Sequence, residues 1–148
     1  MMFVEYLTMP MCTLEITADE QAVTGVRRVE GAAHPRPNAL TRAAAEVITA
    51  YLAGEPLAEL PLRPSGTAFE QAVWHALREI PYGRTRCYAD IAAAIGRPTA
   101  TRAVGRAIGK NPILLFIPCH RVIGRNGSLT GFSAGLDLKR FLLELERE

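Results

Sequence analysis

The chain has 148 residues, 49% of them hydrophobic, enough to bury roughly two thirds of the unfolded surface in one ordinary domain or two small packed units. Its longest clean apolar run, Ile113 to Ile117, falls far short of the ~20 residues that cross a bilayer. Met1 to Tyr6 carries Glu5 and no basic leader region. Three cysteines without a C-x-x-C pair argue against a disulfide framework and give little support for a zinc site, so reduced thiols and a cytoplasmic location are expected.

The net charge of +2 hides a division: residues 1 to 62 sum to −4 and residues 63 to 148 to +6. Between Arg84 and Arg125 stand Arg84, Arg86, Arg97, Arg102, Arg106, Lys110, Arg121 and Arg125 against one acid, Asp90. A solvated face is the plain alternative. A density this one-sided suits a polyanion, because each neutralised phosphate releases counterions, and nucleic acid is the leading partner.

Phe3 to Leu7, Cys12 to Thr17 and Ala22 to Val29 read as strands, with Asp19-Glu20 turning between the last two. Leu40, Ala44, Val47, Ile48, Tyr51 and Leu52 keep helical spacing until Gly54 and Pro56 stop them. The proline-rich stretch from Glu55 to Gly66 connects two subdomains, 1–62 and 63–148. Thr67 and Glu70 form a capping box for a helix with the apolar stripe Phe69, Val73, Trp74, Leu77 and Ile80, where Trp74 reads as core. A short helix from Tyr88 to Ile95, a turn at Gly96-Arg97-Pro98 and a second helix from about Thr99 to Gly109 make a helix-turn-helix candidate over about 88–109. Ala100, Ala103, Val104 and Ala107 are its expected inner stripe, and Arg102 and Arg106 project from one exposed side. An ordinary helical hairpin is the alternative, and the surrounding charge tips the reading towards DNA.

Asn111-Pro112 breaks that helix before an apolar run expected to be a strand, and IPCHRV follows in the loop 117–124. Cys119 between a proline and a histidine reads as a nucleophile, since an adjacent imidazole or helix N-terminus is what lowers a thiol from ~8.5. A small buried core residue is the bland alternative for a lone cysteine. After the turn-rich Gly124 to Gly131, a last helix from Asp137 to about Glu146 buries Leu138, Phe141, Leu142 and Leu145. Glu144, Glu146 and Glu148 are the wrong sign for a helix C-terminus, which suggests other work for one of them. The expected fold class is α+β: a small N-terminal α/β subdomain packed on a mostly helical C-terminal subdomain.

From Thr67 to Glu146 the strings TAFEQAVW, IPYGRTRCYADIA, RAVGRAIGKNP, IPCHRVIG, GSLTGF and GLDLKRFLLELE occur in an order and spacing that resemble the O6-alkylguanine-DNA alkyltransferases, or methylated-DNA:protein-cysteine methyltransferases. The first sixty residues resemble that family only loosely, through NAL and YLAGE. The resemblance implies that Cys119 accepts the alkyl group, that His120 takes its proton through a water, and that Glu146 orients His120. It makes Tyr88 the phenol that protonates the departing purine and Arg102 the residue that fills the stack when the base flips out. Gly96, Tyr88, Ala100, Ala103 and Arg106 would share the DNA surface, Asn111 would be a structural hinge, and Val122, Phe132, Ser133 and Ala134 would line the base pocket. It implies a monomer acting once on the minor groove of double-stranded DNA, independently of sequence and with no cofactor or metal. Three positions depart from the pattern: Phe132 replaces a tyrosine, Ala134 a glycine and Cys87 a serine.

Two rivals stand beside this reading. A non-catalytic damage sensor of the same fold lacks the reactive cysteine, and a cysteine hydrolase needs a direct Cys119–His120 contact, awkward between neighbours in an extended segment.

Overall fold

A computed structural model describes residues 1–129, 132 and 134–147. Its contacts divide the chain into two units. The first comprises Met1–Ser65 together with Pro112–Phe116. Three antiparallel strands, β1 (Phe3–Met9), β2 (Cys12–Ala18) and β3 (Val23–Val29), form its sheet in the order β1-β2-β3. The two-residue turn between β1 and β2 sets Met9 opposite Cys12, and the period-two alternation of β2 puts Leu14, Ile16 and Ala18 in the core. Gly25 is required by close approach, because a Cβ there would stand 2.6 Å from Thr17 Oγ1.

Helix α1 (Ala39–Leu52) starts at Asn38. The Thr41 N–H donates to Asn38 Oδ1 at 2.9 Å and the Asn38 N–H to Thr41 Oγ1 at 2.8 Å, so two backbone donors at the helix start are satisfied reciprocally. Its buried stripe, Ala44, Ile48 and Tyr51, keeps the spacing read from the sequence.

The apolar run after Pro112 is not a strand. Val26 N–H donates to Pro112 O and Leu114 N–H to Val26 O, both at 3.0 Å, which makes one bridge between Val26 and Ile113. Leu115 then adopts φ of 73°, and the chain turns tightly through a Phe116 N–H bond to Leu114 O at 2.8 Å. A left-handed residue cannot continue a ladder, and this is why five apolar residues in a row do not extend.

The second unit comprises 66–111 and 117–148. Helix α2 (Ala68–Arg78) has the capping box expected of it: Glu70 N–H donates to Thr67 Oγ1 and Thr67 N–H to Glu70 Oε1. Val73, Trp74 and Leu77 are buried, and the Trp74 indole N–H donates to Ala107 O at 2.8 Å, so Trp74 is core. Phe69 is half-buried beneath the Arg97 guanidinium, 5.9 Å from its ring centre.

Two residues, Arg86–Cys87 (β4), pair in parallel with Val122–Ile123 (β5). Helix α3 (Tyr88–Ala94) follows β4 directly, and Asp90 accepts the Cys87 N–H at 2.9 Å in its first turn. Gly96, at φ of 76°, turns the chain towards α4 (Thr101–Gly109). The buried side of α4 is Val104, Ala107 and Ile108; Ala100 and Ala103, expected inside, are half-exposed. Helix α5 (Leu136–Glu146) closes the unit. It buries Leu138 and Leu142 as expected, and also Lys139 and Glu146, while Phe141 and Leu145 are only half-buried.

Candidate functional site

Pro118 leads into a single 3₁₀ turn, Cys119–Arg121, with the Cys119 N–H donating to Ile117 O at 2.7 Å. The segment is therefore not extended, and successive side chains leave the turn about 120° apart rather than on opposite faces. Cys119 is buried at 3% exposure. Its Sγ accepts from Asn111 Nδ2 at 3.0 Å, and the same amide donates to Ile117 O at 2.8 Å. One side chain thus ties the end of α4 to the start of the turn and touches the sulfur.

The neighbouring imidazole does not lower this thiol. Burial pushes Cys119 up to about 11, while the Asn111 hydrogen bond and the positive charge of Lys139 pull the other way. A sulfur this well covered stays protonated at rest, so its proton has to be removed during reaction.

His120 is buried at 1%. Its Nε2 lies 2.7 Å from Glu146 Oε2, and its Nδ1 has no hydrogen-bond partner among the described residues. Burial holds the ring below its ordinary value, with the Glu146 carboxylate opposing. The state this favours is a neutral ring with Nε2–H on Glu146 and a lone pair on Nδ1. A buried nitrogen without a partner among the described residues is one that a water can meet.

Glu146 is a hub of hydrogen bonds. Besides His120, Arg121 Nε donates to Oε1 at 2.8 Å and Arg121 Nη2 to Oε2 at 3.0 Å, and the Gly83 N–H reaches Oε1 at 3.2 Å. Arg121 Nη1 donates to Ile80 O at 2.7 Å, and the guanidinium stands 5.8 Å from the Tyr82 ring centre. These contacts account for an acid at the end of α5. They also correct the reading of Arg121 as one of the surface cations, because it is 8% exposed and committed to Glu146.

Lys139 is a site residue that sequence reasoning missed. It is 1% exposed, donates from Nζ to Val122 O at 2.5 Å, and lies 5.9 Å from the Phe132 ring centre. Burial lowers its basicity while the proximity of Cys119 opposes that shift. A signal existed: Lys139, Leu142 and Glu146 are spaced three and seven residues along one helix face, and a lysine on the same stripe as a buried leucine has to be buried with it. Val122 is fully buried, Phe132 nearly so and Ala134 half-buried. Ser133, assigned to the same pocket from the sequence, lies outside the described residues, as do Thr130 and Gly131 of that loop.

The remaining expected residues lie along α3 and α4. The Tyr88 ring is half-buried against Gly105, where a Cβ would stand 3.9 Å from it. Arg102 and Arg106 are exposed, as is Gly96, with Ala100 and Ala103 half-exposed beside them. None of those five makes a hydrogen bond to Cys119, His120 or Glu146. Among the described residues no group of three or more His, Cys, Asp or Glu could hold a metal ion, and no helix is long and apolar enough to cross a membrane.

The buried thiol of Cys119 thus adjoins in sequence an imidazole bonded to a carboxylate, the residue types that nucleophile, base and orienter require. Residues 68–148 match the model of the 6-O-methylguanine DNA methyltransferase DNA binding domain. A methylated-DNA--protein-cysteine methyltransferase of Methanosarcina acetivorans is 56% identical over 106 residues, covering 71% of this chain and 68% of that protein. One from Mycolicibacterium paratuberculosis is 44% identical, covering 97% and 93%. The crystal structure of Mycobacterium tuberculosis OGT in complex with DNA superposes with a TM-score of 0.89 at 42% identity, over 97% of this chain and 92% of that one. A match through more than half of the sequence, and likeness to relatives from end to end, make this chain a member of the 6-O-methylguanine DNA methyltransferase family.

Proposed function

We propose that the protein repairs DNA by moving an alkyl group, such as methyl, from O6 of guanine to the sulfur of Cys119, and that each molecule does so once. The observation that carries this reading is the pair of contacts Asn111–Cys119 and His120–Glu146, in which a covered thiol adjoins a histidine whose Nδ1 has no partner among the described residues.

His120 removes the thiol proton through a water, and the sulfur attacks the alkyl carbon. The C–O bond breaks with its electron pair going to the purine, and Tyr88 supplies the proton that lets guanine leave neutral. The product is a thioether, and no group among the described residues of this site can cleave it, so turnover stops at one.

Because the alkyl carbon sits within the base stack, the nucleotide has to swing out of the duplex, at a cost of a few kcal/mol. Helices α3 and α4 act as a helix-turn-helix laid in the minor groove, where Gly96, Ala100 and Ala103 allow close approach. Arg102 fills the gap in the stack and Arg106 meets phosphate. The everted base lies against Val122, Phe132 and Ala134, the chain acts as a monomer, and it works in the cytoplasm.

The test is Cys119→Ala, which abolishes transfer while leaving affinity for O6-methylguanine duplex within about twofold. Transfer by that variant would overturn the assignment.

A further inference from the structure

Glu146 has more partners than the orientation of one histidine requires. Arg121 covers both of its oxygens, at 2.8 and 3.0 Å, and is itself pinned by Ile80 O at 2.7 Å and by the Tyr82 ring. A guanidinium held at three points in a buried site is a fixed fork, and it gives two charge-assisted bonds to one carboxylate.

We propose that Arg121 is a positioning residue of the alkyl transfer, holding Glu146 ionised and sharing its charge, so that His120 keeps Nε2–H on the carboxylate and presents an unprotonated Nδ1. The inference rests on the reaction proposed above and deepens its proton step.

Burial sets the direction for His120, and the charges around it adjust how far the ring is held down. Glu146 of α5 favours a protonated ring, whereas burial, Arg121 from the same turn and Lys139 of α5 act against it. Cys119 adds a neutral thiol, and the buried side chains of α2 are the apolar Val73, Trp74 and Leu77. Without Arg121 the whole carboxylate charge would fall on the imidazole, which would hold a proton to higher pH and offer its Nδ1 lone pair over a narrower range. With Arg121 in place, the S–H bond breaks, an Nδ1–H bond forms, and the imidazolium so made is paired with a carboxylate whose oxygens are already occupied. The proton stays on His120 while the S–C bond forms and the C–O bond breaks.

The test is the single-turnover transfer rate of the full chain on O6-methylguanine duplex against pH, for wild type, Arg121→Lys and Arg121→Met. The acid limb, where His120 takes up a proton, moves up by about one pH unit in Arg121→Met, a roughly tenfold slower transfer below that limb, with Arg121→Lys between the two. Loss by one common factor at every pH, with the limb unmoved, would overturn the proposal, since that is what a purely structural contact gives. If Arg121→Met does not fold, ¹⁵N shifts of His120 in the wild type decide: the neutral Nε2–H form at pH 7 supports the proposal, and imidazolium or Nδ1–H overturns it. Absence of any transfer by the wild type would sink the proposed reaction instead and leave the ¹⁵N result to judge Arg121.

Discussion

His120 Nε2 and Glu146 Oε2 lie 2.7 Å apart, with the two side chains 1% and 2% exposed, which joins the turn that carries Cys119 to the last turn of α5 through a buried hydrogen bond. Glu146→Gln keeps the shape and removes the charge, leaving the Arg121 guanidinium buried without a counter-ion. Breaking one side of a buried pair costs about 3–5 kcal/mol. The expected fall in Tm is roughly 10 °C, read by thermal denaturation. A Tm within a degree of the wild type would contradict the energetic role given to this carboxylate.

Stability should depend on pH through His120. Burial holds its folded value below the ordinary 6.5, so the unfolded chain binds more protons as pH drops past that point. The contribution is complete above 6.5 and is lost as pH falls from there towards the folded value. Urea unfolding at pH 7.5 and 5.5 measures it: the wild type loses more stability over that interval than His120→Gln does. Equal losses would mean that His120 titrates alike in both states.

Asn111→Ala removes the donor to Cys119 Sγ and the tie to Ile117 O together. The hydrogen bond opposes the rise of the thiol, so its loss makes the sulfur harder to ionise. Transfer slows by about tenfold, or ~1.4 kcal/mol, with duplex affinity nearly unchanged. An unaltered rate in a stopped-flow assay would remove Asn111 from the reacting site.

DNA binding should weaken steeply with salt, because phosphate contacts release counterions. Arg106→Ala lowers the slope of log K against log[salt] by about 1 and weakens binding alike on all sequences. Arg102→Ala slows repair of duplex more than of the free base O6-methylguanine. An equal loss on both substrates would deny Arg102 any part in base extrusion.

Strand alternation in β2, the capping box at Thr67 and the spacing of α1 were legible because each depends on residues within one turn or one pleat of each other. The run Ile113 to Ile117 misled for the opposite reason. Apolar composition says that a segment is buried but not whether it extends, and the left-handed turn at Leu115 bears no glycine to announce it. Cys119, His120 and Glu146 were singled out by motif and resemblance, and the last two do lie in contact. Arg121 and Lys139 were not: one was counted among surface cations and the other passed over, since burial of a charge is decided by partners distant in sequence, here Glu146 and Val122 O.

Intact-protein and peptide mass spectrometry after incubation with one equivalent of duplex carrying O6-methylguanine tests alkyl transfer most directly. The result expected is a gain of one methylene on the peptide containing Cys119, with matching loss of the lesion and no second turnover on added substrate. An unchanged protein mass beside bound, unrepaired DNA, or repair continuing beyond one equivalent, would contradict it.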